Sequence, residues 1–219
     1  MHNPLEHTQA CEDRDFVEWH KGCPWCAVWV LRVDTPQLVE HVHRARDCLM
    51  PWVLPRYERQ PHITLAYRGL MDVDAKYPHA EFGAHHLQAD VRALQQALVM
   101  PFAVKVNGCD SFTTVPYLAV EGQASLETLH QTLAPASPYP DWRYVPHVTL
   151  GHYGCEVPMA EVMKTVQDCF ATRVLCVPID ALWLARYRTH DISGPLHWEG
   201  RFDLHTQQYH PQPDALFFI

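Results

Sequence analysis

Apolar and polar positions along this chain switch between two periods. Cys26 to Val33 is a run of strand formers, and the pattern predicts a buried β-strand. Thr35 followed by Pro36 reads as an N-cap with proline at the first helical position, and Leu38, Val42, Ala45 and Leu49 then recur on one helical face. A loop from Pro51 to Gln60 leads into the alternating segment His62-Ile63-Thr64-Leu65. A second helix is expected from about His85 to Met100, on Leu87, Val91, Leu94 and Leu98. Phe102–Val106 and Phe112–Val120 read as a strand pair. Ser125 is expected to cap a short helix carrying Leu126, Leu129 and Leu133. A loop, Pro135 to Arg143, enters the alternating segment His147-Val148-Thr149-Leu150. A helix near Met159–Phe170 and strands near Arg173–Ile179, Leu182–Arg188 and His197–Leu204 complete the pattern.

The two alternating segments are near copies. Pro61-His62-Ile63-Thr64-Leu65-Ala66-Tyr67-Arg68-Gly69 matches Pro146-His147-Val148-Thr149-Leu150-Gly151-His152-Tyr153-Gly154. In each, alternation sends Ile/Val and Leu into a core and sets His and Thr side by side on the other face. Proline suits the strand start and glycine the exit turn. One H-x-T in a strand is commonplace; two copies sharing Pro, Thr, Leu and Gly at the same offsets are a functional signal. A helix precedes each copy, which predicts internal duplication with pseudo-two-fold symmetry.

Histidine changes charge near neutral pH, with an ordinary pKa of about 6.5. A neutral imidazole can take a proton from a nucleophile while a protonated one donates to a leaving group. Threonine hydroxyls are short, stiff donors suited to phosphate oxygens. Two of each suit phosphodiester cleavage, and which histidine is the base is not legible in the sequence.

On these paired motifs the chain resembles the 2H phosphoesterase superfamily, which includes RNA 2',3'-cyclic phosphodiesterases, also called 2'-5' RNA ligases. The resemblance spans about residues 23–205 and outside the motifs rests on element order. It implies an α+β, bilobal fold, with two sheets facing a central cleft and helices outside. It implies catalytic His62 and His147, phosphate-binding Thr64 and Thr149, and no metal or other cofactor. The expected organisation is an N-terminal extension, residues 1–22, and a single bilobal domain, residues 23–219. The expected activity is hydrolysis of a ribose 2',3'-cyclic phosphate or a 2'-5' linkage, with 2'-5' ligation as a side reaction. A binding module using the same cleft without turnover is the alternative.

Composition narrows the partner. The 219 residues are 47% hydrophobic and carry a formal charge of −8. That balance argues against capture of long nucleic acid by clustered Lys and Arg, and favours a nucleotide or short RNA. No apolar run reaches the about 18 residues of a membrane span. The N-terminus has no apolar secretory core, and the eight scattered cysteines read as reduced thiols, so the expected location is cytoplasmic. Cys23-Pro24-Trp25-Cys26 leads into a strand and lacks a second ligand pair, which disfavours both a redox and a zinc site. Arg68 and Arg143 are candidates for phosphate contact, and Tyr144 and Phe112 for stacking on a base. Arg56 and Arg59 flank the first motif as weaker candidates. His152 and Tyr67 are expected to pack on the face opposite the motif histidines. Oligomeric state is not legible.

Overall fold

The structure is a computed structural model and describes residues 7–74, 76–121, 124–136, 144–169 and 174–219. Five α-helices, α1 (Val17–His20), α2 (Pro36–Leu49), α3 (Ala84–Ala97), α4 (Ala124–Leu133) and α5 (Met159–Cys169), accompany nine strands among the described residues. The strands are β1 (Trp25–Arg32), β2 (His62–Met71), β3 (Phe102–Ser111), β4 (Pro116–Glu121), β5 (His147–Thr149), β6 (Leu175–Ile179), β7 (Ala181–Arg188), β8 (His197–Asp203) and β9 (Gln208–Pro211). The mixed α+β fold follows the expectation. The short edge strand β9 lies outside the sequence pattern, and Phe112 falls in a turn between β3 and β4 rather than in a strand.

Helix α2 shows how the sequence makes its elements. The Thr35 hydroxyl accepts from the Leu38 amide at the N-terminus, a cap worth roughly 1 kcal/mol. Leu38, Val42, Ala45 and Leu49 are all buried. They join one core with Trp29 and Leu31 of β1, Ile63 and Leu65 of β2, and the apolar faces of α3, α4 and α5. The helices therefore cover one face of the sheet. Val28 and Val30 of β1 point the other way, into a smaller cluster with Cys26 and Tyr187.

The strands run in the order β6-β3-β4-β5-β2-β1-β7-β8-β9, and every pairing is antiparallel. Two separate sheets facing a cleft are the expectation from sequence. Instead a four-stranded and a five-stranded half-sheet are joined through the motif strands by one pair, Ile63↔Val148. The continuity is thin because β5 has only three residues against ten in β2. Beyond Ile63, no strand among the described residues pairs with β2 on that side, and the halves open there.

Strand β2 is also irregular. Its pairing with β1 shifts register twice, between Ala27 and Val28 and between Trp29 and Val30. Each bulge adds one residue to β2 and resets its alternation. Gly69, expected in an exit turn, lies within β2 at φ +90° opposite Ala27. A side chain there would also collide with Glu81.

Candidate active site

The motif side chains come together by register. Counting outward from Ile63↔Val148, His62 stands opposite Thr149, and Thr64 opposite His147. Ile63 and Val148 are fully buried on the helix side, so both His-Thr pairs share the opposite face. The antiparallel crossing gives the two motifs a local two-fold relation.

Both imidazoles are held alike. His62 Nδ1 is 2.7 Å from the Gln60 carbonyl, and His147 Nδ1 is 2.7 Å from the Val145 carbonyl. A carbonyl only accepts, so each Nδ1 carries hydrogen and donates. In the neutral ring, Nε2 then keeps its lone pair and faces away from that anchor. The carbonyl comes in each case from two residues earlier, so the device belongs to the repeated motif.

The environments differ. His62 is only 7% exposed. Burial chiefly lowers its pKa to about 4, helped by the positive charge of Arg59 and by His147, against the opposing bond to Gln60. His147 is partly exposed, and burial lowers its pKa against the bond to Val145. Both are therefore neutral near pH 7 without substrate.

A cavity of 680 Å³ opens between β2 and the second motif, lined by Thr64, Thr149, His147, Tyr67 and the turn from Phe112 to Val115. Of the sequence-read candidates, Phe112 packs edge-on against His147, with ring centroids 5.1 Å apart, and Tyr117 flanks the same imidazole at 5.2 Å. Tyr144 donates to the Thr64 carbonyl at 3.1 Å and stacks on His130 at 3.8 Å. Arg143 lies outside the described residues, as do Trp142 and Tyr139.

Arg68 is not at the site. The bulge of β2 between Thr64 and Ala66 turns it to the helix side, where it is 3% exposed and bonds both Asp90 oxygens, at 2.8 and 2.9 Å. The same irregularity brings Tyr67 to the cavity, against the expectation that it faces away.

Arg59, a weaker sequence candidate, is a cation whose charge acts on His62. Its guanidinium lies 4.1 Å over the Tyr187 ring, and its Nε is buried without a hydrogen-bond partner. Among the described residues no carboxylate stands within ion-pair distance of it. Arg56, by contrast, is taken up by Asp191 and Asp13. Arg59 also reaches His152, whose pKa falls to about 4, mainly by burial and then by that charge. His152 packs edge-on against Tyr57 at 5.4 Å, and burial raises the pKa of the Tyr57 hydroxyl. Tyr57 carries no sequence signal, since it sits in an aperiodic loop.

The Cys23 and Cys26 thiols are both fully buried. Burial raises both, Cys26 to about 12, which is the reverse of an activated thiol. Among the described residues no three His, Cys, Asp or Glu side chains cluster as a metal site requires. No described helix is long and apolar enough to cross a membrane.

Fold and motif pair together define a two-histidine phosphoesterase class. Residues 34–191 match the 2'-5' RNA ligase superfamily, and the chain belongs to that family. Its fold is similar to that of TT0787 of Thermus thermophilus, at 17% identity and a TM-score of 0.52, over 82% of this chain and 97% of that one. Apo LigT of E. coli aligns at 14% identity and 0.52, with the same coverage of 82% and 97%. LigT complexed with 3'-AMP aligns at 14% and 0.50, over 80% and 93%. No curated protein matches the sequence.

Proposed function

We propose that this protein is a phosphodiesterase that opens a ribose 2',3'-cyclic phosphate, or cleaves a 2'-5' linkage, on a nucleotide or short RNA end. The observation that carries this is the pair of antiparallel motif strands with both imidazoles anchored through Nδ1 and both threonines alongside. In ring opening, one neutral Nε2 removes a proton from water as the water oxygen bonds to phosphorus. The other imidazole, protonated, gives its proton to the ribose oxygen as the phosphorus–oxygen bond breaks. Resemblance to the family favours a 2'-phosphomonoester product. Thr64 and Thr149 donate to the non-bridging oxygens as charge builds, and Arg59 supplies a fixed positive charge.

His62 suits the base role. Its deeper burial and the Arg59 charge hold it neutral, while the more open His147 gains its proton when the phosphate anion arrives. Crystals of E. coli LigT with 3'-AMP show a fold relative holding a nucleotide, which is consistent with this substrate class.

The test is a panel assay with chelator present. It covers RNA ending in 2',3'-cyclic phosphate, 2',3'-cyclic mononucleotides, 2'-5' dinucleotides and cyclic dinucleotides. His62→Ala and His147→Ala are each expected to cost roughly 10²–10⁴-fold with little change in melting temperature. Binding without turnover of any member would favour the binding module. Mutants that unfold would assign the histidines to structure.

A further inference from the structure

One wall of the cavity comes from outside the matched family segment. The match begins at residue 34, yet Trp19 of α1 lines the cavity beside Tyr67. The sequence pattern around Trp19 predicts an irregular extension, and the structure pins that stretch at both ends. The Thr8, Gln9 and Cys11 amides donate to the carbonyls of Val157, Thr113 and Tyr153, at 2.9, 2.7 and 2.7 Å. Asp13 pairs with Arg56 at 3.2 Å. At the far end His20 Nε2 lies 2.6 Å from Asp15, and the His20 carbonyl accepts from Cys23 at 2.8 Å. Lys21 and Gly22, at φ +49° and +85°, then turn the chain into β1. The segment thus runs from the second-motif side to the first.

Its contacts shape both walls. The bond from Gln9 to Thr113 steadies the turn that carries Phe112. Tyr144 is already stacked on His130, and Phe112 lies against Tyr117 at 4.5 Å. Trp19 meets His20 in a T-shaped contact at 6.2 Å, packs beside the cluster of Cys26, Val28 and Tyr187, and lines the cavity. Among the described residues lining the cavity none is Lys, Arg, Asp or Glu. A group that fits beyond the reacting phosphate therefore meets aromatic rings and hydroxyls and no charged Lys, Arg, Asp or Glu among the described residues. A volume of 680 Å³ suits a nucleoside and exceeds the need of a phosphate alone.

We infer that residues 7–22 are a specificity element and that Trp19 is the stacking platform for the nucleobase of the substrate. This rests on reading the site as one for nucleotide phosphodiesters. The aromatic face supplies the affinity, since base–aromatic stacking is tolerant of base identity. The uncharged lining disfavours a substrate with a further phosphate at that end.

Calorimetric titration with 3'-AMP on wild type, Trp19→Leu and Trp19→Phe tests it; leucine keeps bulk without an aromatic face. Trp19→Leu is expected to raise Kd roughly tenfold or more, and Trp19→Phe to restore most of the loss. Preference in kcat/KM for adenosine 2',3'-cyclic phosphate over base-free ribose 2',3'-cyclic phosphate should fall by a similar factor. Equal Kd values in all three proteins, or no binding to wild type, would overturn the assignment. A Trp19-dependent Kd without turnover of either a 2',3'-cyclic phosphate or a 2'-5' dinucleotide would instead sink the phosphodiesterase reading and leave the stacking role standing.

Discussion

At the scale of single residues, the repeat offers two equivalent histidines and the surroundings make them unequal. Arg59 and burial act together on His62, holding it at about 4, whereas His147 is lowered by burial without that charge. If His62 is the base and His147 the acid, the two variants differ in a predictable way. A leaving group such as p-nitrophenolate departs without a proton. On such a diester His147→Ala should recover most of its loss, roughly 10²-fold or more, while His62→Ala stays impaired. Equal recovery would remove the assignment. The kcat/KM profile should also peak on the acid side of neutrality, with the His62 limb near its pKa of about 4. The descending limb should move upward in kcat, because bound phosphate favours the imidazolium of His147.

At the scale of elements, β2 has two jobs along its length. Its first residues carry the motif, and its later ones lock the sheet to α3 through Arg68, Asp90 and Trp29, whose indole Nε1 donates to Asp90 at 2.8 Å. Removing one member of so buried a pair leaves an uncompensated charge. Asp90→Ala is therefore expected to cost about 3–5 kcal/mol in chemical denaturation, with kcat of the remaining folded enzyme changed little. A large fall in kcat at unchanged stability would return Arg68 to the site. The sequence could not show this switch. Period-two alternation places Arg68 with His62 and Thr64, and the bulge between Thr64 and Ala66 that reverses it depends on pairing with β1. Motif residues and α2 were legible because their signals are local: a repeated H-x-T, a Thr-Pro cap and four apolar positions on one face. Tyr57 and Trp19 were not, and Arg59 was one of several arginines the sequence could not rank, since an aperiodic loop and an extension take their positions from distant partners.

At the scale of the whole molecule, the site links folding to pH. His62 and His152 both have pKa values lowered to about 4, with burial as the first cause. In the unfolded chain each returns to about 6.5. Between those values the unfolded state binds more protons than the folded one, so stability rises with pH through that window. It is fully present above about 6.5 and is lost as the solution is acidified toward 4. Each group contributes a slope of up to about 1.4 kcal/mol per pH unit. Wild type should thus lose melting temperature steeply below about pH 6. His62→Gln keeps a polar side chain but cannot titrate, so its acid slope should be shallower by up to one proton. Parallel stability curves for the two proteins would mean that His62 is not held neutral by the fold. The source of a proton-free base at the site would then have to be sought elsewhere.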